Sequence, residues 1–234
     1  MRAVTLLKFF VRKASTRRAM RETERALSEF MVDFGRGLRH GEDLRRHCKD
    51  RRSILLNVGC GTLIRDGWVN IDREPQSGVF YFNALDPLPI ADSTVSHINT
   101  EHFLEHLEFE DGVRFLGECY RVLSVGGTMR IVVPDAERYM RAYVQNDVQF
   151  FEQLKDLGGS ARPHPSKDAI CNQMFRMAGA HRFAWDFETL ELVAKDHGFR
   201  SIHRSMHNDP DAPYCIDGQD WWRPVESLYA NLQK

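Results

Sequence analysis

The sequence holds no C-x-x-C pair among its five cysteines, Cys48, Cys60, Cys119, Cys171 and Cys215. That excludes a cysteine-based zinc ribbon and a dithiol redox centre, and an odd, scattered set is what a protein with reduced thiols in the cytoplasm carries. No apolar run approaches the ~18 residues that a membrane span needs. The phosphate-binding pattern G-x-x-x-x-G-K-[ST] is absent. The one glycine turn of interest, Gly59-Cys60-Gly61, lacks the third glycine of a dinucleotide fingerprint, whose place Ile64 takes. There is no internal repeat, no low-complexity tract and no RNA-binding motif, so no nucleic-acid partner is expected. Acid is missing from the first 18 residues, which carry six Lys/Arg.

That local imbalance continues further along the chain. Residues 1–52 hold 15 Lys/Arg against 7 Asp/Glu and the remainder 17 against 26, although the net charge of the whole is only −1. Leu6-Leu7 and Phe9-Phe10-Val11 lie among the first bases, so a helix there would be basic and amphipathic, suited to the anionic inner face of a membrane. A solvated arm, or a helix docked on the domain, is the plainer reading. Lys8 interrupts the apolar stretch and no small-residue cleavage site follows it, which speaks against a signal peptide. With 42% hydrophobic and 28% charged residues, the 234-residue chain is sized for one α/β domain with an appendage. The expected division is a basic helical extension over 1–52 and a main domain over 53–234, with an insertion or lid at about 140–180.

From Ser53 the texture alternates. Ile54-Leu55-Leu56-Asn57-Val58 is a short apolar run entering the Gly59-Cys60-Gly61 turn, and Val69-Asn70-Ile71-Asp72 is a second run ending in an acid. Residues 95–100 form a weaker strand candidate. Val113, Leu116, Tyr120 and Leu123 mark a helix near 109–123. Met129 to Val133 is a β-branched strand stopped by Pro134. Strands alternating with helices predict a doubly wound, mostly parallel sheet, which binds ligands at the carboxyl ends of its strands. A glycine turn there lets backbone amides approach a polar ligand, and an acid closing the next strand can accept both hydroxyls of a ribose, so the pair predicts a nucleoside-type cofactor. Only seven residues separate Gly61 from Val69, too few for a full crossover helix, so this connection is expected to be loop or a single helical turn.

One stretch admits another chemistry. Glu101 to Leu107 contains His102-Phe103-Leu104-Glu105-His106, an H-x-x-E-H spacing. On a helix the two histidines would share a face and could grip zinc with Glu105 as general base, although no third ligand stands out downstream.

Taken together, ILLNVGCGT, GWVNID, LPIADSTVSHINTEHFLEHL and CYRVLSVGGTMRIVVPD resemble, in order and spacing, the class I S-adenosylmethionine-dependent methyltransferases of the type 11-like group. The closing HRFAWDFETLELVAKDHGF and VESLYANLQ resemble their last helix and strands. The short path from N-x-G-C-G to G-W-x-N-I-D is similar to a small bacterial branch often tied to glycan biosynthesis. The resemblance implies a Rossmann-like doubly wound sheet of about seven strands and S-adenosyl-L-methionine as cofactor. It implies donor contacts from Gly59, Cys60, Gly61, Asp72, Asn83, Ala84, Leu85, Thr100 and Glu101. It also places the H-x-x-E-H segment beside the donor pocket, so that no metal is expected and His106 is given a structural role. Asn57 stands where many relatives have an acid, and the adenine-contacting acid is displaced to the Asn83-Ala84-Leu85-Asp86 neighbourhood.

Methyl transfer to a hydroxyl benefits from a base, for which the candidates are His102, His181 and Asp135. The expected acceptor is a small molecule or glycan intermediate. A quinone-type acceptor, or a partner-binding domain without catalysis, are the alternatives. Phe183, Trp185, Trp221 and Trp222 are candidates for stacking on a sugar ring, and packing is the plainer reading of each. Asp209-Pro210-Asp211 has the look of a D-x-D metal motif but reads better as loop chemistry.

Overall fold

The computed structural model describes residues 42–74, 76–156 and 165–234. The basic segment 1–18 and most of the expected extension lie outside the described residues. Residues 42–48 are helical (α1). There follow β1 (Ile54–Val58), β2 (Val69–Asp72), β3 (Val79–Tyr81), β4 (Val95–Glu101), a 3-10 turn at Leu104–His106, α2 (Phe109–Val122) and β5 (Leu123–Pro134). Then come α3 (Ala136–Gln145), α4 (Val148–Leu154), α5 (Lys167–Arg176), a second 3-10 turn at Met177–Gly179, α6 (Phe187–Asp196), β6 (Ser201–Ser205), the single turn α7 (Arg223–Glu226) and β7 (Ser227–Gln233).

The strands form one seven-stranded sheet in the order β3-β2-β1-β4-β5-β7-β6. The first five run parallel, and β7 lies antiparallel between β5 and β6. This is the expected Rossmann-like architecture. The order reverses between β1 and β4, which opens a crevice at their carboxyl ends.

The main core lies on one face of this sheet. α2 turns Gly112, Phe115, Leu116, Cys119 and Val122 inward, the three- and four-residue spacing of one helical face. The stripe read from sequence was centred one residue away. Val113 and Tyr120 are half-buried at its edge, and Leu123 already belongs to β5. Gly112 is small for a reason: a Cβ there would sit 2.9 Å from the Trp185 ring. Trp185 is 0% exposed and Phe183 packs against the same core, so neither is a sugar platform. Leu44 and Cys48 of α1 sit in this core too, so the end of the expected extension is part of the domain body.

A second, smaller core is built by α3, α4 and α5 from Tyr139, Phe150, Phe151, Leu154, Ile170 and Met174, with Trp222 and Val225 packed on it. These helices occupy the segment where the lid was expected.

The opposite sheet face is polar. Asn70, Asn57, Asn99, Arg130 and Asn231 stand in register across β2, β1, β4, β5 and β7. Asn57 Nδ2 donates to Asn70 Oδ1 at 3.0 Å, Asn99 Nδ2 to Asn57 Oδ1 at 3.2 Å, and Arg130 Nη1 to Asn231 Oδ1 at 2.8 Å. A one-residue slip of any strand would put these groups into the apolar core, so the row fixes the register. Asn57 and Asn70 also hold the short β1–β2 connection, bonding the Leu63 carbonyl and both backbone groups of Arg65. That connection contains no helix, as its length required.

The face a crossover helix would have covered is closed instead by the connection between β6 and β7. Asp217 from that connection takes the fully buried Arg130 in two 2.5 Å contacts. Ser205, Asn231 and Met206 accept from its remaining N–H groups, so all five donors of the guanidinium are used. Tyr214 packs on His97, and Arg65 donates to the Ile216 carbonyl.

Candidate active site

The glycine turn forms at the mouth of β1. Gly59 and Gly61 have φ of +63° and +49°, a region that glycine enters without strain. Gly59 N donates to the Ile71 carbonyl at 2.9 Å, tying the turn to β2. A Cβ on Gly59 would lie 2.3 Å from the Phe103 ring, so only glycine lets the β1 and β4 exits approach this closely, whereas space beside Gly61 is open. Asp72 closes β2; its Oδ2 accepts from Gly61 N and its Oδ1 from Glu74 N, each at 2.8 Å. Each carboxylate oxygen has two lone pairs, so both retain acceptor capacity for a ribose diol. The open cradle at Gly61 and this carboxylate fit S-adenosylmethionine.

The other expected donor contacts are less available. Cys60 is buried, and its thiol is pushed up to about 11 by burial and then by the Asp72 charge, so it stays a neutral wall. Asn83 Oδ1 accepts from Leu85 N at 3.2 Å, making a self-satisfied turn in which Ala84 packs on the core and Leu85 is exposed. Thr100 is buried facing the core. The Glu101 carboxylate is already engaged by Arg223 and by Gly218 N at 3.1 Å.

The three expected bases do not share a site. Asp135 caps α3, its Oδ1 accepting from Arg138 N at 3.2 Å while Oδ2 pairs with Arg204 at 2.9 Å. It lies in a cleft of its own with Arg138 and Arg204. His102 and His181 instead line one cavity of about 400 Å³, together with Glu105, His106, Pro134, Gln173, Met174, Met177, Trp222 and Glu226.

H-x-x-E-H is not helical here, which corrects the geometry its spacing implied. His102 continues the ladder, its N–H donating to the Val132 carbonyl at 2.8 Å, and then turns at φ +50°. Leu104–His106 is a single 3-10 turn. His102 is held on both sides, with Nδ1 3.3 Å from Glu105 Oε1 and Nε2 3.0 Å from Ser227 Oγ, and its ring meets Trp222 edge-on at 4.9 Å.

His181 reaches the same cavity because Arg182 N and Phe183 N both donate to the Glu105 carbonyl, at 2.8 and 3.3 Å. This strap brings His181 Nε2 within 4.0 Å of Glu105 Oε1 and stacks its ring edge-on against His106 at 5.0 Å. Burial lowers the His181 pKa, against the Met174 carbonyl that its Nδ1 bonds, so the ring is neutral at pH 7. Burial pushes the Glu105 carboxyl up, and the facing His102 and His106 more than offset it, leaving it ionised.

Glu105 and Glu226 belong to this cavity and were not among the expected donor or base residues, while Trp222, one of the aromatic stacking candidates, lines it too. Glu226 is buried and bonded to Tyr139, with its pKa raised chiefly by desolvation. Only the H-x-x-E-H pattern carried a signal for Glu105. Asp209 and Asp211 make an Asx turn, Asp211 N donating to Asp209 Oδ1 at 3.0 Å, which bears out the loop reading.

Residues 68–131, from β2 through most of β5, match the family described as "Methyltransferase domain". No curated protein matches the chain. Among solved structures, an S-adenosylmethionine-dependent methyltransferase from Archaeoglobus fulgidus aligns at 15% identity and TM-score 0.49, covering 83% of this chain and 92% of its own. Another from Mesorhizobium loti aligns at 14% identity and TM-score 0.46, covering 79% and 92%. The plantazolicin methyltransferase BamL, solved with a triazolic desmethylPZN analog and SAH, aligns at 12% identity and TM-score 0.46, covering 96% and 92%. At these values the structural likenesses carry no argument about chemistry. The family match, on a doubly wound sheet whose glycine turn and Asp72 fit the donor, makes the chain a methyltransferase. Its cofactor is S-adenosylmethionine. Among the described residues no helix is long and apolar enough to cross a membrane.

Proposed function

We propose that the chain methylates an oxygen acceptor, a sugar or glycan intermediate, whose reacting hydroxyl rests against His102. The observation that carries this reading is the contact between the two halves of the site. The donor turn touches Phe103 at Gly59, and the next residue back along the chain, His102, faces the cavity.

When bound, S-adenosylmethionine supplies an electrophilic methyl on a positively charged sulfur. Gly59, Gly61 and Asp72 would hold it at the β1 and β2 exits. His102 then serves the acceptor side. An oxygen that is methylated must lose its proton, and an imidazole is suited to take it near neutral pH. Glu105 Oε1, 3.3 Å from Nδ1, stabilises the imidazolium that results, and Ser227 fixes the ring. Trp222, Met174, Met177 and Pro134 form an apolar wall suited to the carbon face of a sugar ring. Much of the remaining rate would come from holding two reactants in line and excluding water.

The basic residues 1–18 support a peripheral location on an anionic membrane surface, near a lipid-linked acceptor. Salt-sensitive liposome binding that is lost with residues 1–18 checks this.

The test of the reaction is His102→Ala. Turnover of a sugar acceptor should fall by about 10²–10⁴, with binding of the demethylated donor unchanged in calorimetry. Full turnover in this variant refutes the role of His102. Turnover of quinols but not of any sugar acceptor by the parent protein refutes the acceptor class.

A further inference from the structure

Glu105 raises a question that methyl transfer leaves open. It is 2% exposed, yet neither carboxylate oxygen has a hydrogen bond among the described residues. His102 Nδ1 approaches Oε1 to 3.3 Å without completing a hydrogen bond to it. A buried carboxyl group without a hydrogen-bond partner is costly, and its presence calls for an ion or a reacting group to complete it.

The two imidazoles beside it are prepared for such a partner. His106 Nδ1 bonds the Ala180 carbonyl at 3.1 Å, and His181 Nδ1 bonds the Met174 carbonyl. A carbonyl only accepts, so Nδ1 carries a proton in both rings, and in the neutral tautomer this selects each Nε2 keeps its lone pair. Locking a ring by a backbone carbonyl, with the other nitrogen free, is how metal-binding histidines are oriented. One donor atom from each of Glu105, His106 and His181 lies within 4.8 Å of the other two, so small rotations would bring all three onto a common ion.

The geometry points to a divalent transition-metal site formed by Glu105, His106 and His181 and opening into the acceptor cavity. Two imidazoles and one carboxylate with free positions is the donor set of catalytic zinc and of non-haem iron(II). The set differs from the one the H-x-x-E-H spacing implied. His102 is not a ligand but lies beside Glu105, its Nδ1 3.3 Å from Oε1, and the third ligand comes from 75 positions further along, out of reach of any local motif. If the proposed acceptor reading holds, the open positions face the acceptor hydroxyl and would lower its pKa as a Lewis acid. Metal binding itself stands apart from that reading.

The experiment uses full-length protein without a histidine tag, purified without chelator. Cobalt(II) is titrated while visible absorption is recorded, and zinc(II) is titrated by calorimetry. One equivalent of each should bind, with cobalt d–d bands of low-coordinate nitrogen and oxygen ligation. His106→Ala and His181→Ala should each weaken zinc by no less than the about 10–100-fold that loss of a supporting partner costs. His203→Ala, on the exposed β6 edge, should bind as the parent does. Circular dichroism and binding of the demethylated donor establish that each variant is folded. His106 is half-exposed, so its variant remains informative if His181→Ala unfolds. Absence of zinc binding up to about 100 μM overturns the proposal, as does binding that survives His106→Ala. A metal-binding protein that fails to methylate any hydroxyl leaves the site standing and sinks only its use on an acceptor.

Discussion

Replacing Gly59 by alanine tests the claim that donor turn and acceptor wall are mechanically one object. Two costs act together. At φ +63° an L-residue pays for the left-handed conformation, about 1–2 kcal/mol. The added Cβ would lie 2.3, 2.4 and 2.7 Å from Cδ2, Cγ and Cβ of Phe103. Because even the Phe103 Cβ is too close, a ring flip cannot relieve the contact, and the β4 exit itself must move. Overpacking of this kind costs about 1–3 kcal/mol. The expected loss is therefore about 2–5 kcal/mol in urea unfolding. The movement also displaces His102, so residual turnover should fall further than donor affinity does. Urea denaturation, calorimetry with the demethylated donor and turnover at saturating donor measure the three effects. A variant with parental stability and turnover refutes the reasoning, because it would mean that the two exits are not in contact.

Asp72→Ala should weaken donor binding by about 1–3 kcal/mol in calorimetry, since a ribose diol loses a charged acceptor, with little change in acceptor KM. His97 is buried against Arg130, and burial first, then that charge, lowers its pKa to about 4 from 6.5. The unfolded chain thus binds the extra proton first; the stability that neutral His97 contributes is present above pH 6.5 and is lost as pH falls toward 4, by about 3 kcal/mol. Thermal melts of the parent and His97→Gln between pH 7 and 4 should converge in their slopes only if this is wrong. Asp217→Asn removes the countercharge of a guanidinium that is 0% exposed, and should cost about 3–5 kcal/mol in chemical denaturation, whereas an exposed pair such as Arg46–Asp43 should cost under about 1 kcal/mol when broken.

Most of the strands, and the glycine turn and acid at the exits of the first two, were legible because they rest on local signals. Buried parallel strands read as apolar runs, and Gly59, Gly61 and Asp72 mark strand exits. The cavity lined by His102 and His181 was legible only as residue types. His102 and His181 could be named, but not that the Glu105 carbonyl straps residues 182 and 183 and so brings His181 to the cavity. Nor could the periodicity of H-x-x-E-H reveal a ladder residue, a left-handed turn and one 3-10 turn in place of a helix. Asp135 looked like a base because it follows a strand, yet the same position makes it a helix cap. Each miss concerns a side chain whose role is set by residues far away in the chain.

The closure of one sheet face by the β6–β7 connection bears on how the protein is made. The residues that cover Arg130 leave the ribosome well after β1, β4 and β5, so during synthesis this part of the face waits without its cover. A hydrophobic face would invite aggregation over the seconds that this takes at ~5–20 residues per second. A row of asparagines and an arginine can stay hydrated until Asp217 arrives. Nascent chains arrested before residue 206 should therefore remain soluble with β1, β4 and β5 protease-sensitive, and gain protection abruptly once residues 206–233 are clear. Aggregation of the arrested chains would show that the polar row gives no such shelter.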